Sequence, residues 1–147
     1  NSMTLDSYID YNKLYPNIIK IDVHASEGPL LEGAKKTLSN KEFDFIFLEL
    51  HPDHDLNVYS QGTTRINIIN FLLNFNLNCL MIQGFRSHER AVDKKKFLKD
   101  GLIRYKKIDK KNIFNLLYGQ EILDIFILIV KDFDNFKKNN KFVEMND

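Results

Sequence analysis

Four short apolar runs limit what this chain can fold into: Ile18 to Val23, Phe43 to Leu50, Asn78 to Gln83 and Ile122 to Lys131. Each is strand-sized, rich in β-branched, aromatic or other apolar residues, and bounded by polar or charged ones, the pattern of strands buried on both faces. Between the first two, Leu30, Leu31, Ala34 and Leu38 recur at helical spacing. They follow Ser26-Glu27-Gly28-Pro29, which supplies an N-cap and an early proline, so a helix is expected from about Pro29 to Ser39. Between the second and third runs, Thr63 or Thr64 can cap a helix with a wide apolar face containing Ile66, Ile68, Ile69, Phe71, Leu72, Leu73 and Phe75.

Strand, helix, strand, helix, strand, with crossovers of helical length, predicts an α/β domain with a mainly parallel sheet. Gly84 to Lys96 is highly charged and reads as a surface loop or short helix. Leu102 to Tyr105 is expected to pair weakly, and Asp109 to cap a short helix running through Tyr118 with Gly119 at its end. Residues 132–147 read as a mostly polar tail. No repeat or low-complexity linker divides the 147 residues, and a hydrophobic content of 44% can fill one core, so a single domain over 1–147 is expected.

Composition narrows the partners more than the activity. Lysine and arginine number 21 against 20 aspartates and glutamates, a formal charge of +1 that gives no field for nucleic acid or a membrane surface. Cys79 is the single cysteine and lies in an apolar run, which excludes an internal disulfide and suits a small core residue. No apolar stretch approaches the roughly 18 residues that cross a bilayer, and Asp6 and Asp10 do not fit a signal peptide, so a soluble, cytoplasmic protein is expected.

In open α/β sheets ligands gather at the carboxyl ends of strands. Two polar clusters stand there: Asp22, His24, Ser26 and Glu27 after the first run, and Glu49, His51, Asp53, His54 and Asp55 after the second. Neighbouring parallel strands would bring them to one crevice, where a carboxylate can hold an amine or hydroxyl and an imidazole can take a proton near neutral pH. Plainer roles fit some of the same residues. Ser26 and Glu27 suit a helix cap and first-turn charge, His51 to Asp55 suits an exposed turn, and His88 with Arg86, Glu89 and Arg90 suits a solvated loop. Asp22 is harder to explain that way, because an ionised group at the end of a buried strand needs a partner.

Several segments share the order and spacing of a known family: Thr4-Leu5-Asp6-Ser7-Tyr8-Ile9, then Ile18-Ile19-Lys20-Ile21-Asp22-Val23, then Glu27, Leu31, Gly33-Ala34 and Leu38, and finally Leu48-Glu49-Leu50-His51. From Thr4 to His51 the chain resembles the S-adenosylmethionine-dependent methyltransferases of the FkbM type. His24-Ala25-Ser26 stands where that family carries glutamate-glycine-alanine. The resemblance implies the C-terminal half of a Rossmann-like methyltransferase domain. The apolar runs would then be strands four to seven of its sheet, mainly parallel with a C-terminal antiparallel strand and helices on both faces.

The resemblance further implies S-adenosylmethionine as cofactor, with Asp22 and Glu27 near cofactor or acceptor. His24, Glu49 and His51 would be the catalytic proton acceptors, and the acceptor a small-molecule or sugar hydroxyl. None of the six glycines makes the glycine-rich turn that grips the cofactor, so the chain by itself is expected to be inactive. Strand four would then pair with a second copy or with a missing N-terminal half. Two other readings share the residues: a metal-dependent hydrolase with ligands from Asp22, His24, Glu49, His51 and His54, and a catalytically silent interaction module.

Overall fold

The computed structural model describes residues 2–41, 43–60, 62–82, 103–118, 124–138 and 141–145. Its centre is a six-stranded mixed sheet in the order β1-β2-β5-β3-β4-β6, built from β1 (Ile18–Ile21), β2 (Phe45–Leu50), β3 (Asn78–Ile82), β4 (Ile103–Ile108), β5 (Ile125–Val130) and β6 (Phe142–Glu144). β1 and β2 are parallel, with Ile18 opposite Phe45 and Ile21 opposite Leu48. β5 runs antiparallel to both of its neighbours, β2 and β3. β4 is antiparallel to β3 and parallel to β6.

The α/β class holds, and the last long apolar run is an antiparallel strand. The sheet is mixed rather than mainly parallel, because β5 inserts between β2 and β3 and because the segments at either end of it add β4 and β6. β1 is an edge strand, not one buried on both faces. Ile21 is buried, while Ile18 on the opposite face is exposed. Within the segment expected as a tail, α7 (Phe133–Lys138) and β6 are regular elements, and Phe133, Phe136 and Phe142 cover Tyr105, Phe126 and Leu128. The lysines and asparagines between these rings masked three aromatics that share one buried surface. β4 is likewise a full six-residue strand.

The other sheet face carries the larger core. Ile46, Leu48, Leu50, Cys79, Met81, Ile127 and Ile129 point into it, covered by residues of α2 (Glu27–Glu32), α3 (Lys35–Asn40), α4 (Asp53–Tyr59), α5 (Arg65–Leu73) and α6 (Ile113–Leu117). Helices therefore cover both faces. Thr64 caps α5 as expected, accepting from the Asn67 N–H. Asp109 opens the turn before α6 by accepting from the Lys111 and Asn112 N–H groups. The expected turn after His51 is instead the start of α4, with Pro52 at its N-cap. The charged segment around Gly84 to Lys96, including His88, and Gly119 lie outside the described residues.

The single helix expected over Pro29–Ser39 is two. An N-terminal helix, α1 (Leu5–Asn12), packs where they divide: a Cβ on Gly33 would sit 3.1 Å from Thr4 Cβ, and the Gly33 carbonyl accepts from the Asp6 N–H at 3.0 Å. The Asp6 carboxylate then takes over the start of α3, accepting from Lys36 N–H (2.8 Å), Thr37 N–H (2.9 Å) and the Thr37 hydroxyl (2.7 Å). Partial burial pushes the Asp6 carboxyl up, but these bonds and the Lys36 charge outweigh it and hold it below its ordinary 3.8.

An acid depressed on folding adds stability above its unfolded pKa and loses it as pH falls through the folded value. Asp6→Asn is therefore expected to lower unfolding free energy by about 1 kcal/mol at neutral pH, the worth of a helix cap. Urea titrations should show that gap narrowing below pH 3.8. A gap constant down to pH ~2 would mean that the carboxylate charge contributes nothing there.

Candidate functional site

The parallel register fixes the site. Ile21 lies opposite Leu48, so Asp22, just past the end of β1, falls level with Glu49, the next-to-last residue of β2. Beyond Asp22 the backbone turns through the left-handed region at His24 (φ 46°) and Ala25 (φ 65°) before entering α2. Each such residue costs roughly 1–2 kcal/mol with a side chain present. The turn is held from three sides: the Ser26 N–H donates to the Val23 carbonyl, the Ala25 N–H to Glu27 Oε1, and the Ser60 hydroxyl to the Ala25 carbonyl. Its effect is to set the His24 ring 5.2 Å from that of His51.

Across from it, β2 ends at Leu50 and Pro52 prevents its continuation. The carbonyls of Leu50, the last residue of β2, and of His51 just beyond it are taken by buried Arg65, through Nη2 at 3.1 Å and Nε at 2.8 Å. The Arg65 N–H donates to Asp53 Oδ1 at 2.7 Å, so α4 and α5 are tied to the strand end that carries His51.

Glu27 is fully buried, and its Oε1 lies 2.7 Å from His51 Nδ1. Because Ala25 N–H donates to the same oxygen, Oε1 is an acceptor, which makes Nδ1 the donor and leaves Nε2 with the lone pair of the neutral ring. Glu27 Oε2 is buried without a hydrogen-bond partner. The Glu27 carboxylate is thus buried behind His51 and borders the site through that ring.

Asp22, His24 and His51 each offer a ligating atom within 4.8 Å of the others. The Lys20 ammonium, 3.0 Å from Asp22 Oδ2, is the main cause that holds the Asp22 carboxyl below its ordinary value. Slight burial opposes it, and His24 and His51 add to it. Glu49 moves the other way: burial first, then the charges of Asp22 and Asp124, push its carboxyl above the ordinary 4.5 against His51 and Lys20. Two carboxyls at one strand end are thereby driven apart in acidity, one kept as an anion and the other readier to carry a proton.

Of the expected residues, Asp22, His24, Glu27, Glu49 and His51 come together. Ser26 sits at the N-cap of α2 without a side-chain cap bond. Asp53, His54 and Asp55 form the first turn of α4, where His54 pairs with Asp55 at 3.5 Å on the surface. Lys20, Ser60, Arg65 and Asp124 were not expected. Arg65 was detectable, since it stands at helical spacing from Ile68, Ile69 and Leu72 and so falls on the buried stripe of α5. The same test applied to Glu27, four before Leu31 and eleven before Leu38, places it on the inner face.

Two clefts flank the turn. One of about 640 Å³ is lined by Met3, Tyr8, Val23, Ser26 and Leu30. The other, of about 530 Å³, lies against Gly28, Ser60, Thr63, Asn67 and Phe71. Asp22, His24, Glu49 and His51 line neither. Among the described residues no helix is long and apolar enough to cross a membrane. No protein-family model matches the chain, and no significant match was found among curated proteins or solved structures.

Two measurements check this geometry. Asp22→Asn removes a negative neighbour, so a carbon-detected titration should show the Glu49 pKa fall toward its ordinary value, whereas no movement would separate the two carboxyls. His24→Gly relieves a left-handed φ at an exposed position and is expected to raise unfolding free energy by about 1 kcal/mol, read from urea denaturation.

Proposed function

We propose that this chain supplies the acceptor side of an S-adenosylmethionine-dependent methyltransferase of the FkbM type, acting on a small-molecule or sugar hydroxyl. The observation that carries the reading is the imidazole of His51, held through Nδ1 by a buried carboxylate and grouped with Asp22 at the common end of two parallel strands. Displacement at a sulfonium methyl requires an oxygen aligned in line and relieved of its proton. His51 Nε2 is placed to accept that proton, Glu27 is the positioning residue that keeps Nδ1 protonated, and Asp22 is the anion that would orient the hydroxyl. Glu49, the less acidic carboxyl, and His24 border the same space.

The sequence resemblance from Thr4 to His51 supports the reading, as do the strands assigned as four and five in parallel pairing and the strand assigned as seven running antiparallel. Asp6, in the leucine-aspartate segment of that resemblance, has a structural task at α3. The glycine-rich cofactor turn would come from outside this chain and join along β1, which is an end strand of the sheet among the described residues and lies near the exposed Tyr8, Tyr11, Leu14, Tyr15 and Ile18 in sequence. A second copy is the other candidate for that edge. The hydrolase reading recruits five ligands, but Glu49 and His54 do not join the Asp22, His24 and His51 group.

The test is calorimetric titration of S-adenosylmethionine into the chain in its full natural context, followed by a screen of hydroxyl acceptors for S-adenosylhomocysteine release. His51→Asn, whose side-chain amide can still donate to Glu27, is expected to lower turnover by about 10²–10⁴-fold, the usual contribution of a general base, while cofactor affinity stays unchanged. Failure of the full context to bind the cofactor rejects the reading and leaves a silent interaction module.

A further inference from the structure

A buried carboxylate with one unpartnered oxygen is unfavourable unless the group it holds carries compensating charge. Glu27 is fully buried, and among the described residues its hydrogen-bond partners are His51 and the Ala25 N–H alone. A carboxylate bonded to one imidazole nitrogen while the other faces open donors is the outer-shell arrangement of metal-bound histidines, where it fixes the tautomer and raises ligand basicity.

Three further observations point the same way. The groups beside the His51 ring are a second imidazole, His24, and the Asp22 carboxylate, with one ligating atom from each of the three within 4.8 Å of the others. Lys20 occupies Oδ2 of Asp22 and leaves Oδ1 open. His24 has its place through a backbone conformation that a histidine adopts only at a cost, and strain of that kind persists where a site needs the side chain.

We propose that Asp22, His24 and His51 bind one divalent transition-metal ion of the zinc class, with Glu27 as the positioning residue behind His51. A tetrahedral ion with bonds of about 2.0–2.2 Å sets its ligand atoms roughly 3.4 Å apart, so movement of about an ångström by the side chains of the exposed Asp22 and His24 closes the set. Two imidazoles and one carboxylate select zinc or cobalt over magnesium and calcium, which prefer all-oxygen shells. Three protein ligands leave a fourth position open. This inference does not depend on methyl transfer; the two meet at His51 Nε2, which cannot hold an ion and accept a proton at once.

The experiment titrates zinc chloride into tag-free, chelator-stripped protein by calorimetry, with cobalt(II) visible absorption reporting imidazole ligation. One ion per chain is expected, undisturbed by excess magnesium. His24→Ala should weaken binding at least 100-fold, and Glu27→Gln should weaken it about 10–100-fold while all three ligands remain. His54→Ala should leave it unchanged. Because His51→Ala strands Glu27 in the core and risks the fold, the exposed His24 is the deciding variant, its folding checked by circular dichroism. Absence of stoichiometric binding, or equal affinity in His24→Ala, overturns the site. Equal affinity in Glu27→Gln overturns the role of Glu27.

Discussion

The parallel pairing of β1 with β2 is the constraint on which the rest of this molecule depends. Side chains alternate along a strand, so a slip of one residue would send Asp22 and Glu49 to opposite faces and separate the two clusters. The register is fixed by burial: Ile19 and Ile21 on β1, with Ile46, Leu48 and Leu50 on β2, contribute to one core, and the opposite face keeps Ile18, Lys20, Phe45 and Phe47. What keeps the acids together at the surface is therefore apolar packing below them. The site is a by-product of the core's periodicity, refined by a few polar bonds.

Strand positions were legible because four apolar runs interrupted by polar residues leave few other ways to bury them. Strand order was not, since it depends on β5 inserting between β2 and β3, a long-range choice that no local pattern records. The C-terminal segment failed for a different reason. Phe133, Phe136 and Phe142 are spread among lysine, aspartate and asparagine, and their average polarity hides rings that meet only after the chain turns back. The break at Gly33 depends on Thr4 and Asp6, about thirty residues earlier.

The site was half legible in the same sense. Asp22, Glu49 and His51 were visible as polar ends of apolar runs, and His24 as their neighbour. Their support was read less well: Glu27 was expected at the site but not as the buried partner of His51, and Arg65, whose spacing puts it on an inward helical face, was passed over on the assumption that charge is exposed. Those two residues also explain why the strand end can be polar at all. Arg65 donates to two carbonyls at the end of β2, and its burial is tolerable because its donors have acceptors.

Glu27 shows how stability and chemistry share one arrangement here. Its Oε1 accepts from the Ala25 N–H and thereby holds the left-handed turn, and it accepts from His51 Nδ1 and thereby fixes which nitrogen faces outward. Both His24 and His51 are thus placed by one buried oxygen, His24 through backbone and His51 through its ring. The two imidazoles therefore cannot be oriented independently: moving the carboxylate loosens the turn and frees the tautomer together. A chain that needed only a compact core would place an apolar side chain at Glu27 and glycine at His24, avoiding both the buried charge and the strained backbone. Retaining both makes sense where the two rings and Asp22 act on a common ligand.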